Sequence, residues 1–343
     1  MFDVYELQTR LANAALPSGF EAPQAKLLAE LAEPFSDEVT IDTLGNVVAR
    51  RKGEGTKIAI PAHMDVLGLL VTEVGKDGFA RFDTIGGISP LTLLATPFVF
   101  ENGRRAAVRA EAAQIEKAKT IEDFNDKRDM YVDIGVIDKE TTEKYIRPGM
   151  VAKYGTHPTK LAGGRILATP YADDLICCVS LLLALENLKD VKPENDLYFV
   201  FTVQEEVGTR GARAAAWHID PDVCFVADVC DAIDSPSAEF PIGNGLGKGP
   251  AIKLRDGGAL SHRVIVDHIV DAAEENAIPY QYDPMVYGGT DARAMQHARG
   301  TVLSSGVSIP TRDIHSPYEM VSVDDVVNAG RLIAAAAAKK LTL

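Results

Sequence analysis

Acidic and imidazole side chains fall in this chain where apolar runs stop. His63-Met64-Asp65 closes the run that begins Lys57-Ile58-Ala59-Ile60, and Asp173-Asp174 stands at the head of a long apolar stretch. Glu205-Glu206 follows Phe199-Val200-Phe201-Thr202-Val203, and Asp228 follows Cys224-Phe225-Val226-Ala227. His315 lies in Thr311-Arg312-Asp313-Ile314-His315-Ser316-Pro317. Two imidazoles and several carboxylates form a donor set suited to divalent zinc, cobalt or manganese. In His63-Met64-Asp65, a carboxylate two residues on can accept the second ring N–H of a ligating histidine and fix its tautomer. Taken singly, each piece has an ordinary structural use. A histidine after a strand usually hydrogen-bonds locally, and an acidic pair before a helix usually caps it. Glu205-Glu206 is less ordinary, because two charges at the end of a core strand cost desolvation unless something pairs them.

The elements that must position these residues follow from periodicity. Val4, Leu7, Leu11 and Ala15 recur at helical spacing, and a second short helix is expected over 23–31. Residues 175–188 are apolar at helical spacing behind the acidic pair. Residues 197–203, 223–227 and 301–309 read as strands buried on both faces, with further helices over 261–276, 291–299 and 323–340. Between these halves the texture is all β. Strand-like runs at 69–74, 79–85, 98–101, 104–108, 131–136 and 150–154 include Asn102-Gly103, a strong hairpin signal. The expected fold is an α/β sandwich, a mixed central sheet between helices, with a small all-β barrel inserted in it. The division is a discontinuous domain of 1–66 and 164–343 around an insert of 67–163. Ligand crevices in such sheets lie beyond the carboxyl ends of the strands, so all five acidic or histidine sites can open on one mouth.

Composition narrows the function classes. With 46% hydrophobic and 24% charged residues in 343, the chain is globular. Lys and Arg total 35 against 49 Asp and Glu, a net charge of -14, and no basic run offsets it, which argues against a nucleic-acid partner. The longest uncharged window, 84–100, contains Gly86-Gly87, Pro90 and Pro97 and cannot form a membrane-spanning helix. Met1-Phe2-Asp3-Val4 offers no basic patch ahead of an apolar stretch, so a cytoplasmic protein is expected. Cys177, Cys178, Cys224 and Cys230 form no C-x-x-C pair and read as small core residues in a reducing compartment. His157, His218, His262, His268 and His297 read as surface residues, and the glycine-rich 243–249 as a loop. No lysine-bearing phosphate loop, G-x-S-x-G elbow or H-E-x-x-H helix is present.

Five blocks together carry a resemblance: Ala62-His63-Met64-Asp65, Asp173-Asp174, Gln204-Glu205-Glu206-Val207-Gly208, Gly288-Gly289-Thr290-Asp291-Ala292 and Ile314-His315-Ser316-Pro317. In this order, over nearly the whole chain, they resemble the tetrahedral (TET-type) dinuclear metallo-aminopeptidases, a family that includes glutamyl aminopeptidases and members labelled endoglucanases. The resemblance implies two divalent ions, zinc or cobalt. His63 and Asp228 would hold one, Glu206 and His315 the other, and Asp173 would bridge them. Asp65 would orient His63, and Glu205 would be the unligated general base. Three carboxylates against two divalent ions leave a net +1, which a shared hydroxide neutralises. One neighbour of the Glu205-Glu206 pair must ligate while the other does not, which requires a local bend there. Val66 and Leu175 depart from the family's usual Glu and Arg; neither is an expected ligand, and they bear on substrate preference or on the setting of Asp173-Asp174.

The function so implied is removal of N-terminal residues from peptides with a free N-terminus, by a homo-oligomer built from dimers into a dodecameric shell. A deacylase or carboxypeptidase-like amidohydrolase on the same metal core is the alternative. Glycoside hydrolysis needs neither histidine nor metal, and a non-catalytic assembly subunit leaves the expected ligands without a task.

Overall fold

Strand alternation sorts the core of the large sheet onto two faces. Ile58, Ile60, Phe199, Phe201, Phe225 and Ala227 point into one apolar cluster, while Ala59, Val200, Cys224 and Val226 point into another. The first face receives the helix Ala172–Asn187, buried from Ala172 through Leu185, together with Val323–Ala338 and Val4–Ala14. A helix with no polar face can only be interior. The second face receives Arg210–Ile219, which packs Ala212, Ala215 and Ala216 closely on the strands, and the short Ala292–Gln296. Removing a ring such as Phe199 from this packing would cost about 3–5 kcal/mol.

The structure is a computed structural model describing residues 2–111, 115, 126–236, 243–285, 287–300, 302–341 and 343. Residue 301, where the last core strand is expected to begin, and 112–114 and 116–125 within the insert lie outside the described residues. In chain order the strands are β1 (Glu38–Ile41), β2 (Val47–Arg51) and β3 (Lys57–His63), then β4 (Gly68–Val74), β5 (Ala80–Ile85), β6 (Pro97–Phe100), β7 (Arg105–Ala110), β8 (Met130–Asp133) and β9 (Val151–Tyr154). They continue with β10 (Thr159–Leu161), β11 (Ile166–Thr169), β12 (Asp196–Thr202), β13 (Val223–Asp231) and β14 (Ala251–Arg255), followed by β15 (Gln281–Pro284), β16 (Leu303–Arg312) and β17 (Glu319–Ser322). The large sheet runs β1-β2-β12-β3-β13-β16-β17-β11-β10, with β14 and β15 attached through β16. Its centre, β12-β3-β13-β16, is parallel; β1, β2, β17, β11 and β10 pair antiparallel, and β14 pairs β16 antiparallel and β15 in parallel.

The remaining strands close into a barrel, β4-β5-β8-β7-β6-β9. The Asn102-Gly103 hairpin joins β6 to β7, with Gly103 at φ 83, where a side chain would be strained. The barrel interior, including Leu69, Val71, Phe98, Phe100 and Val108, belongs to the same apolar cluster as the first face of the sheet.

Several expected boundaries move. β13 runs through Asp228 to Asp231 and β16 to Arg312, while β12 stops at Thr202, ahead of Glu205-Glu206. His268 corrects the surface expectation. It sits on the inner side of helix Arg263–Glu275 with Ile265 and Ile269, and its Nε2 lies 2.8 Å from the Ala336 carbonyl. All four cysteines are buried and free.

Candidate metal centre

β3 and β13 pair only at Val223↔Ile58 and Cys224↔Ala59, then separate, so the sheet splits beside the last residues of β3. His63 ends β3 on one side of this split, and Asp228 lies on β13 on the other. Thr202, opposite His63 in the parallel register, hands the chain to a turn in which Gln204 takes φ 56. This is the bend expected at Glu205-Glu206. The Asp65 carboxylate holds it: Oδ1 accepts from the Glu205 N–H at 2.9 Å, and Oδ2 accepts from the Glu206 N–H at 3.2 Å and the Ser18 hydroxyl at 2.6 Å. Asp65 also lies near His63, whose Nδ1 is 3.1 Å from the Asp65 carbonyl oxygen and 3.4 Å from its Oδ1.

Asp173 and Asp174, in the irregular first turn of Ala172–Asn187, complete the floor. Asp173 stands between the two histidines, Oδ1 at 2.9 Å from His63 Nε2 and Oδ2 at 3.2 Å from His315 Nε2. His315 Nε2 is also 3.4 Å from Glu206 Oε1. Asp174 Oδ2 accepts from the His63 backbone N–H at 3.0 Å. The six residues His63, Asp173, Glu205, Glu206, Asp228 and His315 line a single cavity of ≈ 1020 Å³. Asp65 is fully buried beneath it.

His315 is held from both parts of the molecule. It adopts φ 65, an uncommon left-handed conformation for a residue with a side chain. From the sheet side, Glu319 at the start of β17 accepts the His315 N–H at 2.8 Å on Oε1 and the Asp173 N–H at 2.9 Å on Oε2. From the barrel side, His315 Nδ1 lies 2.8 Å from the Gly87 carbonyl, and the Tyr154 hydroxyl donates to the His315 carbonyl at 3.3 Å. Gly86 has no room for a side chain, since a Cβ there would lie 2.3 Å from Leu67 and 3.3 Å from Glu206.

The electrostatics are those of crowded anions. Burial drives the carboxyl groups of Asp174, Glu205, Asp228 and Glu319 well above the usual carboxylate range. It raises Glu206 too, despite His315, and pushes Asp291 up to about 6. Burial opposes the charged form of Asp173 as well, but His315 and His63 outweigh it and hold that carboxyl well below its ordinary value. Burial likewise disfavours imidazolium at both histidines, yet hydrogen bonds to Asp173, with Asp65 at His63 and Glu206 at His315, hold both upward, His315 to about 12. Among the described residues Asp174 Oδ1 and Asp291 Oδ1 are buried without hydrogen-bond partners, and Glu206 Oε1 has only its 3.4 Å contact with His315 Nε2. Such a set is short of positive charge. Donor atoms of His63, Asp174 and Asp228, and of His63, Asp173 and Glu206, lie within 4.8 Å of one another, so the residues fit divalent cations.

Two buried carboxylates escaped the sequence reading. Glu319 sits four residues after His315 with no spacing rule to mark it. Asp291 was visible only as part of a block, and it accepts from the Thr202 hydroxyl at 2.5 Å.

The sequence and this fold can be set beside known proteins. The family model of the M42 glutamyl aminopeptidases matches residues 45–332. The chain is 35% identical to a lysyl aminopeptidase of Pyrococcus furiosus over 336 residues, covering 96% of this chain and 95% of that one. An aminopeptidase from the archaeon Desulfurococcus kamchatkensis superposes with a TM-score of 0.92 at 37% identity, over 98% of this chain and 94% of that one. The TET1 peptidase of Pyrococcus horikoshii, described as assembling into a tetrahedron or a large octahedral shell, superposes at 0.86 with 29% identity, over 98% and 100% of the two chains. The fold and centre are those of a metallo-aminopeptidase. The chain belongs to the M42 glutamyl aminopeptidase family.

Proposed function

We propose that the protein hydrolyses N-terminal residues from peptides with a free N-terminus, using two divalent cations, zinc or cobalt, and Glu205 as general base. The observation that carries this reading is Asp173, whose two carboxylate oxygens face the Nε2 atoms of His63 and His315. In this reading His63 and Asp228 hold one cation, Glu206 and His315 the other, and Asp173 serves both. Bound there, the pair of cations would polarise the scissile carbonyl and lower the pKa of the attacking water. Among the described residues the Glu205 carboxylate has no hydrogen bond or ion pair to hold it, and its raised pKa suits a group that takes the water's proton and passes it to the leaving amine. Asp65 is a positioning residue. Its grip on both amides turns Glu205 and Glu206 to different tasks, and its contacts with His63 support the ring.

The same reading divides the chain into a catalytic unit of 1–66 and 164–343 and an inserted unit of 67–163 that makes subunit contacts in a dimer-built dodecamer. It places the protein in the cytoplasm. Among the described residues no helix is long and apolar enough to cross a membrane.

The test is one mixed-peptide pool, half of it N-acetylated, digested with added cobalt or zinc and read by mass spectrometry. Stepwise loss of N-terminal residues from the free half alone is expected. Loss of acetyl groups, or trimming from the other end, would move the assignment to a deacylase or a carboxypeptidase.

A further inference from the structure

The cavity that holds the metal-binding residues is not acidic throughout. It continues along two helices that begin beside the centre and lead away from it. Arg210–Ile219 starts against Glu205, whose carbonyl accepts from the Gly208 and Thr209 N–H groups at 2.8 and 2.9 Å. Ala292–Gln296 starts at Asp291, which is tied to Thr202 at the end of β12. The two helices pack together, and on their open side Arg213, Trp217, Arg293 and Arg299 line the same cavity as His63 and Glu205.

Three of these four are cations in a chain of net charge -14. Arg299 is engaged, 4.5 Å over the Trp217 ring and 3.8 Å from Asp220. Arg213 and Arg293 are exposed, and neither guanidinium has an ion pair or hydrogen bond among the described residues. The carboxylates of the cleft gather at the centre, Asp173, Glu205, Glu206 and Asp228 around His63 and His315, with Asp231 at the end of β13. The free guanidinium groups of Arg213 and Arg293 therefore stand apart from the carboxylates of the centre, further along the cleft.

Helix rise sets the scale. At 1.5 Å per residue, Arg213 lies about 6 Å and Trp217 about 12 Å beyond Thr209, and an extended peptide advances about 3.3–3.6 Å per residue. A bound peptide running beside this helix would pass Arg213 and Trp217 with its second to fourth residue, and Arg293, on the helix packed against it, lines the same cavity. Arginine presents a fork of donors that matches a carboxylate in two places at once. We infer that Arg213 and Arg293 form a carboxylate subsite, so that the cleft prefers peptides of three or four residues carrying a carboxylate at the far end. This rests on the aminopeptidase reading for the direction in which the peptide lies. The carboxylate is either the C-terminus of a short peptide or an acidic side chain at the same distance.

Trp217 makes the inference testable without turnover, because it is the one tryptophan of the chain and sits in the cleft. The metal-loaded Glu205→Gln protein is titrated with a tripeptide acid, its C-terminal amide, and an amide with Glu at its third position, following Trp217 fluorescence. The acid is expected to bind about 10-fold more tightly than the amide. In the Arg213→Gln/Arg293→Gln double variant, both substitutions at exposed positions, the ratio should fall toward one. Recovery of tight binding by the Glu-bearing amide would show that any carboxylate serves, and no recovery would assign the subsite to the peptide terminus. Equal binding of acid and amide, or a preference that survives the double variant, would overturn the inference. A failure of the aminopeptidase reading itself looks different: the unsubstituted protein would release no N-terminal residue from these peptides, whatever their binding ratio.

Discussion

The large sheet and the barrel meet at one imidazole, and they contribute different things to it. The sheet and its helices supply every candidate ligand: His63 at the end of β3, Asp173 in the first turn of Ala172–Asn187, Glu206 after β12, Asp228 within β13 and His315 after β16. The barrel supplies a backbone carbonyl at Gly87, the Tyr154 hydroxyl, and a stretch of glycine that lets it approach. Parallel central strands must be covered on both faces, so their carboxyl ends are a place where buried charge can be gathered and then compensated. A small antiparallel barrel has one packed interior and a wet exterior, and it offers support rather than charge. The difference teaches that the insert is continuous with the catalytic core, through one apolar cluster and through His315, rather than an appendage to it.

The strongest way to sharpen this contrast lies wholly on the sheet side. Glu205→Gln keeps the shape of the side chain and removes the base. Turnover is expected to fall about 10²–10⁴-fold, with metal content by elemental analysis unchanged, because Glu205 is not among the proposed ligands. Undiminished turnover would remove Glu205 from its role.

A smaller effect compares the two supports of His315 directly. Glu319 accepts one N–H on each carboxylate oxygen, so Glu319→Gln leaves an amide NH₂ facing a backbone donor. Loss of such a support lowers metal affinity about 10–100-fold. On the barrel side, a Cβ at Gly87 would stand 3.3 Å from His315 Nδ1 and 3.4 Å from Cε1, tight enough to push the ring by a few tenths of an ångström. Gly87→Ala is expected to cut activity about 10-fold, since misplacement by about 1 Å can cost 10², with metal retained and thermal stability little changed. If Gly87→Ala leaves activity intact while Glu319→Gln does not, the barrel's contact with His315 is incidental.

The candidate residues His63, Asp173, Glu205, Glu206, Asp228 and His315, which line one cavity, stood out in the sequence by two local rules: apolar runs mark strands, and function gathers where the strands end. Their division into ligands and base came only from the family resemblance. The same rules yielded the barrel from its alternating runs and the Asn102-Gly103 turn. What they could not yield is contact between distant segments. Asp65 reads as a partner for His63, two residues away, and its Oδ1 does lie 3.4 Å from His63 Nδ1, but the same carboxylate also accepts from the Ser18 hydroxyl and from the amides of Glu205 and Glu206, 140 and 141 residues on. Glu319 stands in the four-residue β17, too short to show a pattern, and its partners are set by the antiparallel pairing of β17 with β11 and β16. His268 shows the opposite error. A polar residue type suggested the surface, but its place on the apolar side of an amphipathic helix decided burial, and the Ala336 carbonyl satisfies the ring.

The smallest expected effect concerns stability, and it asks whether the two regions differ in how they carry charge. In the sheet, Asp196 of β12 is buried and accepts from Arg50 Nε at 3.0 Å, Arg50 Nη2 at 2.8 Å and the Tyr198 hydroxyl at 2.8 Å, tying β12 to β2. In the barrel, Asp133 accepts from Arg109 Nε at 2.9 Å, but the arginine side chain is 57% exposed. Asp196→Asn should cost about 1.5–3 kcal/mol, and Asp133→Asn under about 1 kcal/mol, by urea denaturation at neutral pH. The two costs should also respond differently to acid. Burial raises the Asp196 carboxyl pKa, but the bonds from Arg50 and Tyr198 outweigh it and leave it below the ordinary value. A depressed folded-state pKa gives stability that is complete above the unfolded value of about 3.9 and disappears as pH falls through the folded value. The gap between unsubstituted protein and Asp196→Asn should therefore be constant from neutral pH down to about 5 and close below about 4. Equal costs for the two substitutions, or a gap at Asp196 that does not close in acid, would mean that ion pairing is spread evenly over the molecule and that the sheet holds no special share of it.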